Sequence, residues 1–238
     1  MNEHFTYLII IVLLAITSQA SLASPSLCGY SGLILAPGGE ITGDGVLTAG
    51  MGYVPPEYAI LRGPVLGEKV YFFNLGYLPF FEICIRAIQI DHIGNTWGFG
   101  DRSSCLRIRI LSERKYIPSM LVGFHDIIGG AMNFRACYAA LSKNLHMARN
   151  FSLGINIGHG NNLDDDLLKK RKRRLYSLIG LFGGMSFNYR GNLEFVIDYD
   201  TRKVNGGIKY CLFKRFNLLV TFLNFESLTG GISYSYQL

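Results

Sequence analysis

Three histidines with serines within reach along the chain, His92, His125 and His159 with Ser103, Ser104 and Ser119, are the residues best suited to nucleophilic chemistry. Such chemistry needs a serine hydroxyl within hydrogen-bond reach of a histidine that a third group orients. Neither a GxSxG elbow nor an HExxH pair occurs to fix that geometry. His125 and Asp126 are adjacent, and adjacent residues of an extended strand point to opposite faces, so they are not expected to form a dyad. The chain therefore reads as a non-enzyme with no cofactor and no metal site. A hydrolase with its site at a barrel rim, acting on lipid or polysaccharide, is the rival class.

A second set of residues suits binding. Acids and bases of both signs recur inside otherwise apolar segments: Glu82 and Arg86, Asp101 with Arg107 and Arg109, Asp126 and Arg135, and Glu194, Asp198 and Asp200 with Lys209. They suit either structural ion pairs or a polar path for a hydrophilic ligand. A third set is the run Lys169-Lys170-Arg171-Lys172-Arg173-Arg174, directly after Asp164-Asp165-Asp166. Such a run is a solvated loop or a contact for anionic lipid or polysaccharide. The five cysteines, 28, 84, 105, 137 and 211, contain no CxxC pair. If their two segments pair as a hairpin, Cys84 and Cys105 face each other within disulfide reach, and the odd count leaves at least one thiol.

The elements that must position these groups show a period of two. Phe151-Ser152-Leu153-Gly154-Ile155-Asn156-Ile157-Gly158 puts four large apolar side chains on one face and small or polar ones on the other. Twelve such segments are expected, near 46–54, 68–77, 80–90, 101–111, 118–126, 133–143, 150–159, 177–189, 192–202, 205–213, 215–225 and 228–238. Connections near 78–79, 190–191 and 214 are tight and those at 55–67, 91–100 and 160–176 are long, which places long loops on one rim and short turns on the other. An even strand count with such alternation is the pattern of a single antiparallel transmembrane β-barrel, over residues 46–238. Aromatics including Phe80, Tyr199, Phe213 and Phe225 fall near segment ends, as interfacial girdles do. A secreted sugar-binding β-sandwich, with Trp97 and tyrosines exposed, produces the same alternation and stands as a further alternative.

Composition agrees with the barrel. Glycine is 28 of 238 residues, about 12% against a common ~7%, and charged residues are only 17%. The run Tyr7–Ile16 is too short to span a bilayer as a helix and is followed by Ser18-Gln19-Ala20 and Ser21-Leu22-Ala23, so residues 1–23 read as a cleaved signal peptide. Residues 24–45 form a Gly-rich N-terminal lead-in. Leu27 before Cys28 does not suit a lipidation site. The formal charge of +6 becomes +7 once the leader, with its one acid Glu3, is removed. In an exported chain this basic balance does not point to nucleic acid.

From Gly32 onward the chain resembles the YjbH-type exopolysaccharide-biosynthesis family of Gram-negative outer-membrane proteins, which includes capsule proteins of the GfcD kind. The resemblance is carried by Gly32-Leu33-Ile34 with Pro37, Tyr53-Val54-Pro55-Pro56, Leu78-Pro79-Phe80-Phe81-Glu82 and Asp101-Arg102-Ser103. It continues through Gly123-Phe124-His125-Asp126-Ile127-Ile128-Gly129-Gly130, Ala140-Leu141-Ser142-Lys143, Gly183-Gly184 and Asp198-Tyr199-Asp200 before Asn205-Gly206-Gly207. It implies an outer-membrane barrel in surface-polysaccharide production or export, with outer-membrane lipid, surface polysaccharide and periplasmic polysaccharide-secretion proteins as partners. Gly183-Gly184 is expected to leave room for a large side chain from a neighbouring strand.

Overall fold

A computed structural model describes residues 24–59, 67–90, 99–127, 135–163 and 178–238. Alternation of large apolar with small or polar residues makes each segment a strand with one greasy and one polar face. The twelve strands are β1 (Val46–Val54), β2 (Glu68–Tyr77), β3 (Phe81–Ile90), β4 (Phe99–Leu111), β5 (Ser119–His125), β6 (Ala136–Ala148), β7 (Phe151–Asn162), β8 (Gly180–Tyr189), β9 (Leu193–Tyr199), β10 (Val204–Leu212), β11 (Phe216–Leu223) and β12 (Ser227–Gln237). Each pairs antiparallel with its neighbours, and β1 pairs with β12, so the sheet closes on itself and leaves no free edge. β6 runs several residues beyond its expected end because Lys143 to Ala148 continue the ladder against β7.

The outward phase is apolar. Ile85, Ile157, Met185, Ile197, Val220 and Leu228 are all more than half exposed. Tyr77, Phe80 and Phe213 are exposed toward the short-turn rim, and Tyr199, Phe222 and Phe225 toward the other. An apolar band between two aromatic girdles on a closed barrel is a face for hydrocarbon. The inward phase carries Thr48, Asn74, Glu82, Arg107, Asn156, Asp198, Lys209 and Ser235, all buried. The phase expected at Ile155 and Asn156 is observed: the first is 40% exposed and the second 6%.

The interior is not a bare polar lumen. Residues 24–45 enter from the short-turn rim, rise through the barrel and return to β1, forming a plug. Leu27, Leu33, Ile34, Ala36 and Ile41 of the plug are buried with Val54, Val70, Ile88, Tyr138, Phe182, Val196 and Leu223 of the wall. These wall residues lie mostly toward the long-loop end, so that half of the barrel holds a packed apolar core. The wall thins where the plug presses on it. A Cβ on Gly76 would collide with the Gly43 carbonyl, and one on Gly184 would meet the plug's Leu33 side chain at 2.7 Å as well as the backbone of β9. The glycine pair therefore makes room for the plug and for close strands, in place of the neighbouring-strand side chain expected there.

Candidate functional site

Most of the charges singled out along the strands converge on the plug. Glu82 forms a fully buried ion pair with Arg107 at 3.0 Å. Its carboxylate also accepts the backbone N–H groups of Ser31 and Thr42 and the side-chain amide of Asn74. Arg107 donates in turn to the carbonyls of Gly38 and Glu40. A buried pair is tolerated only where hydrogen bonds satisfy its remaining atoms, and here the plug backbone supplies several of them.

Across the barrel, Asp198 makes a second clamp. Its Oδ2 accepts three successive plug N–H groups, from Ile34, Leu35 and Ala36, at 2.7–2.9 Å, while its Oδ1 accepts from Asn205. Lys209 donates to the Ser24 hydroxyl oxygen and the Gly32 carbonyl, and the Ser24 hydroxyl donates to Glu194. Arg109 pairs with the Glu40 carboxylate at 3.3 Å. Asn156 donates to the Pro37 carbonyl, and Ser142 accepts the Gly39 N–H.

The remaining candidates lie elsewhere. Arg86 donates to Ser103. Asp200 caps its own turn by accepting the N–H groups of Arg202 and Lys203. Asp101, Asp126 and Arg135 stand at the long-loop end and each has a partner. The opposite-face expectation for His125 and Asp126 is overturned: both are buried. β5 ends at His125, and Asp126 takes a left-handed φ of 54°, which breaks the alternation at that step. The His125 ring packs between Tyr30 of the plug and Tyr138 of the wall, with centroids at 4.8 and 5.1 Å. The basic run Lys169, Lys170, Arg171, Lys172, Arg173 and Arg174 lies outside the described residues, as do His92 and Trp97.

Beside the plug, along β6 to β10, the barrel is open. A cavity of ≈ 1330 Å3 extends to the short-turn rim, with Gly32 and Gly38–Glu40 of the plug on its wall. Seven basic residues line it, Arg114, Lys115, Lys143, Arg149, Arg190, Lys209 and Lys214, against three acids, Glu40, Glu113 and Glu194. Between the charges stand amides and hydroxyls, among them Asn144, Ser152, Asn156, Ser186, Asn188 and Asn217. Arg114, Arg149 and Lys214 are exposed and have no ion pair among the described residues. Lys143 is paired with Glu113 at 2.9 Å. Partial burial pushes the Glu113 carboxyl up, but hydrogen bonds from Lys143 and Asn144 outweigh it and hold the group below its ordinary value. Such a chamber can hold a hydroxyl-rich anionic chain through fixed donors and a net positive field.

The strand pattern predicts the clamping charges but not the vestibule. Arg114, Arg149, Arg190 and Lys214 sit in or beside the short turns, where a basic residue looks like ordinary surface. The signal that several face one chamber is their shared rim. The plug had a clearer trace: Leu27, Tyr30, Leu33, Ile34, Leu35 and Ile41 make a Gly-rich segment too apolar for a solvated linker.

No curated protein matches the chain. Among solved structures, one described as "KdgM porin" is similar at 7% identity and a TM-score of 0.48, over 81% of this chain and 99% of that one. The family model described as "Exopolysaccharide biosynthesis protein YbjH" matches residues 24–237, nearly everything after the expected leader, and the chain belongs to this YjbH exopolysaccharide-biosynthesis family.

Proposed function

We propose that this protein is a non-enzymatic outer-membrane barrel of exopolysaccharide or capsule biosynthesis and export, and that its vestibule receives an acidic glycan from the periplasmic side. The observation that carries the reading is the chamber on the short-turn rim, with four more basic than acidic side chains on its wall and amides and hydroxyls between them. Sugar hydroxyls pair with such amides, and uronate or phosphate groups with the basic residues. Family membership supplies the polysaccharide context. Export by a cleaved leader over 1–23 fits an apolar band that needs lipid.

In this reading the short-turn rim, where β1 starts and β12 ends, faces the periplasm, where polysaccharide-secretion proteins would hand over the polymer. The long loops, with the 169–174 run, face outward toward lipopolysaccharide phosphates and the emerging polymer. Among the lumen charges, Glu194 lines the vestibule, whereas Glu82, Arg107 and Asp198 hold the plug and would meet polymer only after the plug moves.

The test is binding of polygalacturonate oligomers, with dextran oligomers as the neutral control, to the folded barrel in detergent. At low salt the acidic oligomer is expected to bind more tightly than dextran, and the triple variant Arg114→Gln, Arg149→Gln, Lys214→Gln is expected to lose about tenfold. That difference should fade as the Debye length shrinks from ~8 Å at physiological ionic strength to ~3 Å at 1 M. Equal binding by the triple variant at low salt, or a preference for dextran, would sink the proposal.

A further inference from the structure

We propose that Cys28, Cys84 and Cys105 form one oxidation site, in which a disulfide from Cys28 to Cys105 ties the plug to the barrel wall. Cys84 and Cys105 are directly opposite on β3 and β4, both face inward, and both are buried. The Arg109 N–H donates to the Phe80 carbonyl at 2.8 Å in the same register. Counting inward from that bond, two residues at a time, makes Cys84 and Cys105 a hydrogen-bonded pair. The Cα atoms of such a pair lie about 5.5 Å apart, inside the ~4.4–6.8 Å range of disulfides. The two thiols belong to one buried cluster. Cys28 of the plug packs against the same cluster, with Tyr30 and Phe72, and touches Arg86. Cys137 and Cys211 lie on β6 and β10, outside this cluster.

The chemistry has two balanced steps. Before the barrel closes, the disulfide of an envelope dithiol oxidoreductase takes two electrons and two protons from Cys84 and Cys105. An S–S bond forms between them and the oxidoreductase leaves as a dithiol. Once the plug is seated, Cys28 loses its proton and its sulfur attacks Sγ of Cys105. The Cys28–Cys105 bond forms, the Cys105–Cys84 bond breaks, and Cys84 leaves as a thiolate that takes up the proton. Burial pushes the Cys28 thiol up, and the positive charge of Arg86 offsets part of that rise. This second step needs no outside reagent, so it proceeds inside a closed barrel. The inference rests on the export reading only for its oxidising compartment.

The chain is refolded from urea into detergent with reduced and oxidised glutathione present, alkylated, digested and mapped by mass spectrometry without reduction. The wild-type chain is expected to give a Cys28–Cys105 peptide in most molecules, and Cys28→Ser a Cys84–Cys105 peptide. Heat-modifiable gel migration reports that both proteins are folded. Cys28 fully alkylated in folded wild-type protein while Cys84 and Cys105 are joined to each other, or Cys28 joined as often to Cys137 or Cys211, would overturn the proposal. Wild-type protein taken from the cell envelope without reductant is mapped in parallel. A bridge after refolding but free thiols from the envelope would count against export and leave the site's chemistry standing.

Discussion

One continuous wall encloses two different interiors. Where the wall meets the plug its inward side chains are covered: apolar residues toward the long loops pack against Leu33, Ile34 and Ile41, and Glu82 and Arg107 beside the β2–β3 turn and Asp198 on β9 are hydrogen-bonded to plug backbone. Along β6 to β10 on the short-turn side the same inward phase meets open space, and Arg114, Arg149 and Lys214 have no acidic partner there among the described residues. The residue types are similar; what separates them is whether their charge has already been answered. A buried charge answered by backbone holds structure together, whereas a charge left facing water is available to a ligand. A charged residue in a barrel strand therefore cannot be assigned to structure or to binding until the contents of the lumen are known.

Paired substitutions test that division. Arg107→Ala removes one partner of a fully buried pair and leaves Glu82 uncompensated, an expected loss of about 3–5 kcal/mol in urea unfolding of the barrel in lipid vesicles. Arg149→Ala, exposed at the vestibule, is expected to stay within about 0.5 kcal/mol of wild type. Comparable losses in the two variants would erase the distinction between the halves. Next in size is the contrast across the wall at mid-strand β7. Ile155→Arg places a charge against hydrocarbon, with an expected cost of ~2–4 kcal/mol. Asn156→Arg points inward, where the side chain donates to Pro37 and accepts from Ser142. Losing those bonds is expected to cost ~1–2 kcal/mol, because the new guanidinium can extend into the vestibule. If Asn156→Arg is the more damaging, the plug contributes more to stability than the lipid face does.

Strand number, pairing order and facing were legible in the sequence because a period of two is a local property and a closed barrel needs little else. Phe151–Gly158 announces β7 and its two faces without reference to any other segment. The inward charges were legible as inward for the same reason. Their partners were not, because the pairing of Asp198 with Ile34–Ala36 spans more than 160 residues and follows from chain tracing. His125 and Asp126 fail for a different reason: a single left-handed residue cancels the alternation from which their facing was inferred. The plug itself was visible only as an apolar excess in a glycine-rich stretch, since a segment that borrows its hydrogen bonds from wall side chains has no period to detect.

The smallest expected effect lies at the border between the halves' behaviours, in the vestibule pair Glu113–Lys143. Here one cation of the open half has been answered, but by a partly exposed acid on the β4–β5 turn. Glu113 is held below its ordinary value by Lys143 and Asn144 against the opposing effect of burial. A group whose folded-state pKa is depressed adds stability that is fully present above its unfolded pKa, about 4.3 for Glu, and is lost as pH falls through the folded value. Glu113→Gln is therefore expected to lower stability at pH 7 by only ~0.2–1 kcal/mol, as partly exposed pairs do, and to match wild type once the pH is well below 4. The same substitution removes an anion from the chamber and leaves Lys143 without its ion-pair partner, so affinity for polygalacturonate at pH 7 is expected to rise while stability falls. Urea unfolding at pH 7 and pH 3 checks the first effect and oligomer binding the second. A variant that loses both stability and affinity would show that Glu113 shapes the turn more than it quenches the charge, and the open half would then be more structural than the comparison allows.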